Sequence, residues 1–177
     1  MTPLPLFIDF EASGLALESY PIEVAWSDES GRITSFLISP ETVQDWQHWS
    51  DQAEFIHGIK RKTLISDGLR PATVCAQITA ALSHKRVYSD NPDFDGMWMK
   101  TLFDGARITY PDINLLSLDA LLIDTLCPES RDRIGSLTKI VESKLRARKI
   151  TKLRHRAAHD VEYLLKVWEF SMASNEP

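Results

Sequence analysis

The sequence predicts an α/β protein in which helices sandwich a mixed β-sheet. Short apolar runs with strand character crowd the first part of the chain. Segments with helical spacing fill the middle and the end, and a brief strand (RVYS, residues 86–89) interrupts them. The 177 residues fit one domain, spanning 1–177. A core of that size buries roughly two-thirds of the unfolded surface, so it needs no covalent staples.

Residues 4–11 (LPLFIDFE) form a short apolar run whose end carries alternating carboxylates. PIEVAWS (21–27) and RITSFLIS (32–39) follow, the second after a turn at Ser30-Gly31. Connections this short predict an antiparallel meander of three strands. Residues 41–55 have helix-compatible spacing with two tryptophans, Trp46 and Trp49. In 72–82, Val74, Ile78, Ala81 and Leu82 share one face behind Pro71, a helix-starting proline. After the strand at 86–89, Asp90-Asn91-Pro92-Asp93 supplies a turn and cap for a helix through Phe103. The last helix runs from about Ala157 to Met172, with Ala157, Val161, Leu164, Leu165 and Trp168 on one side.

Composition sets the broad class. Hydrophobic residues at 44% and charged residues at 25% are the balance of a soluble globular protein. Cys75 and Cys127 lie in apolar surroundings without metal-site spacing, so a reduced, cytoplasmic protein with buried thiols is expected. The start of the chain has no basic segment before its apolar run and meets Asp9 early, unlike a signal peptide. The most apolar stretch, residues 113–126, is broken by Asp119 and Asp124, and no membrane association is expected. A net charge of −5 disfavours a protein that coats nucleic acid indiscriminately. Residues 144–156 (KLRARKITKLRHR) nevertheless hold seven Lys or Arg and no acid. Such a run is either a solvated face or a stripe that contacts phosphates.

Three places carry chemistry. In Asp9-Phe10-Glu11, residues two apart in a strand point to one face, so both carboxylates project together. At about 6 Å they repel by ~3 kcal/mol for an effective dielectric near 20. A divalent cation with oxygen ligands would compensate, and so would a strand end that faces water. Asp95 falls in the first turn of its helix, where the dipole stabilises an acid with or without a further duty. In His155-Arg156-Ala157-Ala158-His159-Asp160, five residues on a helix turn ~500°, about 140° off the starting face. Asp160 therefore projects from the helix, while His155 must approach from the preceding loop or first turn. A surface histidine also fits that position.

Taken together, these segments resemble the three motifs of the DEDDh exonucleases, a family of the ribonuclease H-like superfold. It includes polymerase proofreading subunits, ribonuclease T, oligoribonuclease and the three-prime repair exonucleases. The first motif, D-x-E followed by small residues, Gly and an apolar residue, is Asp9-Phe10-Glu11-Ala12-Ser13-Gly14-Leu15. The second, N-x-x-F-D, is Asn91-Pro92-Asp93-Phe94-Asp95, and the third, H-x-x-x-x-D, is His155 through Asp160. Ile56-His57-Gly58-Ile59 also matches a family segment. Ala12 and Asp90 depart from the residues most often found there (Thr and His), and Arg156 stands where the tyrosine subtype has Tyr.

The resemblance implies a mixed central sheet with helices on both faces and a 3′–5′ exonuclease releasing nucleoside 5′-monophosphates. Asp9, Glu11, Asp95 and Asp160 would hold two divalent ions, Mg²⁺ or Mn²⁺, for an in-line displacement by water. His155 would be the general base. Ser13, Gly14, Leu15 and His57 would contact the terminal nucleotide. The expected partner is the 3′ end of single-stranded DNA or RNA, with a homodimer left open. A binding or scaffold protein that kept the fold and lost turnover is the rival, disfavoured because all five reactive positions are filled.

Overall fold

The computed structural model describes residues 3–127, 133–151 and 155–173. Its centre is a five-stranded sheet in the order β3-β2-β1-β4-β5. The strands are β1 (Leu6–Ala12), β2 (Pro21–Ser27), β3 (Ile33–Leu37), β4 (Arg86–Ser89) and β5 (Asn114–Ser117). β1, β2 and β3 form the expected antiparallel meander, while β4 and β5 join in parallel. Parallel neighbours need crossover connections, and helices supply them.

Alternation along β1 divides the molecule into two layers. Leu6, Ile8 and Phe10 enter one core with Val74, Ile78, Met99 and Leu102. These come from α3 (Pro71–Leu82) and α4 (Pro92–Ala106). Phe7 turns to the other face and packs with Leu118, Leu122, Ile140, Val161 and Leu164. Those belong to α5 (Leu118–Leu126), α6 (Arg133–Ile150) and α7 (Ala157–Met172). Helices therefore cover both faces, and Asp9 and Glu11, in phase with Phe7, project toward the α7 layer.

Two stretches differ from expectation. Only Asp51–His57 (α1) of the region around 41–55 is helical, and a second short helix, α2 (Arg61–Asp67), follows it. Ser50 caps α1 by accepting from Ala53 N–H, and turns precede it. There Trp46 stacks on Tyr20 with centroids 5.1 Å apart and is buried. Its apolar spacing serves that tertiary contact, not a helical face. The apolar stretch 113–126 divides into β5 and α5 where the Ser117 hydroxyl accepts from Asp119 N–H at 3.1 Å. No helix among the described residues is long and apolar enough to cross a membrane. Cys75 is buried, whereas Cys127 is only partly so. The basic run lies on α6 up to Ile150, and residues 152–154 fall outside the described residues.

Candidate active site

At the carboxyl ends of β1 and β4 a cavity of about 590 Å³ opens between α4 and α7. Its lining includes Asp9, Glu11, Asp90, Asp95, Asp160 and His155. An apolar wall of Phe10, Leu15, Phe94, Trp98 and Tyr163 accompanies them, and Arg148 is the one Arg or Lys of the lining among the described residues.

Each acid arrives by a different route. Asp9 and Glu11 lie near the end of β1, where the pairing with β2 shifts between Glu11 and Ala12. Such irregularities re-aim strand ends beside sites. Asp95 is in the first turn of α4 and 4% exposed. Its Oδ1 accepts from Phe10 N–H at 3.1 Å, and its Oδ2 accepts from the Ser89 hydroxyl. That carboxylate thus ties α4 to β1 and β4. Asp160 sits in the first turn of α7, which packs on β1 and β2. His155 lies just before α7, exposed, with a left-handed backbone at φ 44°.

The acids converge closely. Asp9, Glu11 and Asp160 each bring a carboxylate oxygen within 4.8 Å of the others, and so do Asp9, Asp90 and Asp95. Burial raises all five pKa values, and for Asp9, Glu11, Asp95 and Asp160 repulsion from neighbouring acids of the cluster adds to it. Asp9 moves well above its ordinary value through burial, then Asp95, Asp160 and Glu11. Glu11 rises to about 8 through burial, then Asp160 and Glu23. Asp95 rises to about 7 despite the Ser89 hydrogen bond, and Asp160 to about 6 despite nearby His155. A cluster of this kind holds protons at neutral pH unless a cation offsets its charge. With oxygen donors alone in both trios, it fits hard divalent ions.

The four residues expected to touch a nucleotide divide. Leu15 lines the cavity and is 83% exposed. Ser13, Gly14 and His57 are buried outside the lining. The Ser13 hydroxyl accepts from Tyr20 N–H at 3.1 Å, so it is spent on the loop. A Cβ on Gly14 would come within 2.8 Å of His48 Cε1, which explains the glycine by close approach. His57 ends α1 before Gly58, a left-handed cap at φ 69°. His57 Nδ1 accepts from Ile59 N–H at 3.0 Å, which assigns the ring proton to Nε2. That Nε2 is buried without a hydrogen-bond partner among the described residues, and burial lowers the ring's pKa.

Sequence reasoning missed several groups. Asp90 entered only as part of a turn and as a departure from a motif, yet it joins one acidic trio. Ser89 grips Asp95, and its place at the end of a strand gave no hint of that. Glu23 had a visible signal: a lone acid inside the apolar strand PIEVAWS.

Fold and site together define a class first: an α/β protein of the ribonuclease H-like fold, with an acidic cavity at the carboxyl ends of its central strands. The particular likeness is to exonuclease I. The Escherichia coli enzyme complexed with a dT13 oligonucleotide matches 94% of this chain with a TM-score of 0.63 and 20% identity. A zinc-ion-bound form of the E. coli enzyme with single-stranded DNA matches 93% with a TM-score of 0.62 and 18% identity. Another exonuclease I structure gives a TM-score of 0.64 at 20% identity over 93% of the chain. The chain spans about 40% of the length of those proteins. At such identities the likeness establishes the shared fold. No family model matches the chain, and no curated protein matches it in sequence.

Proposed function

We propose that the protein is a metal-dependent 3′–5′ exonuclease that releases nucleoside 5′-monophosphates from single-stranded nucleic acid. The observation that carries this reading is the convergence of Asp9, Glu11, Asp95 and Asp160 on one cavity that also presents His155. The likeness to exonuclease I, solved with bound oligonucleotide, agrees with it.

Asp9, Glu11, Asp95 and Asp160 are the proposed metal ligands, with Asp9 shared between the two trios and Asp90 beside it. Two ions, Mg²⁺ or Mn²⁺, would supply charge neutralisation of the phosphate and activation of the water. His155 takes the proton from the attacking water. Its exposed loop position leaves the imidazole free to turn toward the phosphate. Ser89 and Phe10 N–H fix Asp95 in one rotamer, so a ligand is in place before substrate arrives. Leu15 and Phe94, exposed on the cavity wall, flank the terminal base. Ser13 and Gly14 act indirectly by holding the loop that presents Leu15. The neutral His57, which lies off the lining, is assigned to the terminal nucleotide through its Nε2–H donor.

The test is release of mononucleotides from 5′-labelled DNA and RNA oligonucleotides of matched sequence, with Mg²⁺ and with Mn²⁺. Stepwise shortening from a free 3′ end is expected, and a circular strand should resist. No release with either ion on either substrate would leave a non-catalytic binding protein; equal cleavage of the circle would indicate an endonuclease.

A further inference from the structure

Glu23 lies within β2, opposite Glu11 in the antiparallel ladder, and is 2% exposed. A buried carboxylate in a central strand is costly unless it is paired and hydrogen-bonded. Here it accepts four hydrogen bonds. Arg156 grips it bidentately, Nε to Oε2 at 2.8 Å and Nη2 to Oε1 at 2.7 Å. Ala157 N–H donates to Oε2 at 3.1 Å, and the Ser35 hydroxyl to Oε1 at 3.3 Å.

Ala157 is the first residue of α7, and its N-cap, Arg156, makes no side-chain cap of its own. Glu23 therefore caps α7 from across the sheet, and its negative charge suits the positive end of that helix. Arg156 also directly follows His155, whose left-handed φ of 44° is unfavourable for a residue with a Cβ. Backbone of that kind persists only where its surroundings over-determine it. Among the described residues, the bidentate pair restrains the position directly after it. One buried carboxylate thus anchors the residue after His155 and the helical turn that presents Asp160.

We infer that the Glu23–Arg156 pair is a positioning clamp that sets His155 at the cavity rim and seats the first turn of α7 on the sheet. Its catalytic consequence rests on the reading of His155 as proton acceptor; the clamp itself does not. Neither residue needs to touch substrate. The guanidinium supplies two parallel N–H donors, which a lysine cannot reproduce.

The test compares Glu23→Gln, Arg156→Lys and Arg156→Ala, each with and without His155→Ala, by two readouts. The first is backbone hydrogen exchange in peptides covering residues 151–160. It should speed up by roughly tenfold or more in Arg156→Ala, with peptides from β1 and α3 unchanged. Arg156→Lys should be intermediate. The second is mononucleotide release with Mn²⁺: kcat should fall by up to about 10²-fold at nearly constant KM, the scale of a small misplacement of a reacting group. In the His155→Ala background, Arg156→Ala should add less than about twofold, since both act through one group. Unchanged exchange, or losses that simply multiply, would overturn the clamp. If His155→Ala proves silent, the proton-acceptor reading fails, and the exchange result still decides the clamp. Should Glu23→Gln or Arg156→Ala not fold, Arg156→Lys carries the test, because it keeps a cation beside the buried Glu23 carboxylate.

Discussion

Asp9, Glu11 and Asp95 stand on a wall of the cavity made by β1 and the start of α4, whereas His155 and Asp160 come from the junction that opens α7. The first wall is rigid by construction. Its strand is paired on both sides, and Asp95 is bonded to Ser89 and to the β1 backbone. The second wall opens with a left-handed residue, and a long-range ion pair ties it to the sheet beside the packing of α7 on β1 and β2. The difference teaches where each task is placed. The acids proposed to hold ions sit on a paired strand and on helix starts, while the histidine proposed to take a proton sits in a loop that the Glu23–Arg156 pair holds from the far side.

The largest effects should come from the acids. Asp9 belongs to both trios, so Asp9→Ala should lower mononucleotide release by several orders of magnitude and abolish Mn²⁺ binding measured calorimetrically. Glu11→Ala, Asp95→Ala and Asp160→Ala should also lose several orders in rate. Circular dichroism should show them folded, because deleting one member of a repelling cluster relieves it. Near-normal turnover in any of the four would remove that residue from the ligand set.

His155→Ala should be gentler, at roughly 10²–10⁴-fold in kcat, the usual contribution of a positioned proton acceptor. Mn²⁺ affinity should stay within about twofold of wild type because the carboxylates remain. His159 is the control, being next to Asp160 with a partly buried ring. If His159→Ala abolishes turnover while His155→Ala is tolerated, the two walls have been assigned wrongly.

A smaller effect concerns stability against pH. An acid whose pKa is higher in the folded than in the unfolded chain binds more protons when folded. Unfolding free energy then falls as pH rises between the two values. Glu11 spans 4.5 to about 8 and Asp95 spans 3.8 to about 7. Ion-free protein should therefore melt at progressively lower temperature from about pH 4 to about pH 8. Saturating Mn²⁺ should flatten that decline, since bound cations compensate the ionised cluster. A melting temperature indifferent to pH without ions would mean that the acids are better solvated than their burial implies.

The smallest effect is expected at the apolar wall. Leu15→Ala removes a side chain that would be covered by the terminal base, so KM should rise by roughly tenfold with kcat little changed. A fall in kcat at constant KM would instead place Leu15 among the groups that align the phosphate.

Much of this site was legible because its parts are local. Asp9 and Glu11 share a face through the period of one strand, and the turn 90–93 before Asp95 announces its helix by Asn91-Pro92. The angular offset between His155 and Asp160 follows from helix geometry, and His155 indeed lies in the loop ahead of α7. Strands β2 and β4 and the last helix were readable from period and caps for the same reason. The turns before α1 were not, because Trp46 is buried by Tyr20, a partner distant in sequence. Nor was the role of Glu23, whose guanidinium partner lies 133 residues away. By itself the sequence determined which residues alternate, cap and turn, since those properties are settled within a few bonds. Only the tertiary structure decided that Asp90 joins the cluster, that Ser13 and His57 lie off the cavity, and that Arg156 reaches Glu23. Side chains brought together by sheet pairing and helix packing leave no periodic trace along the chain.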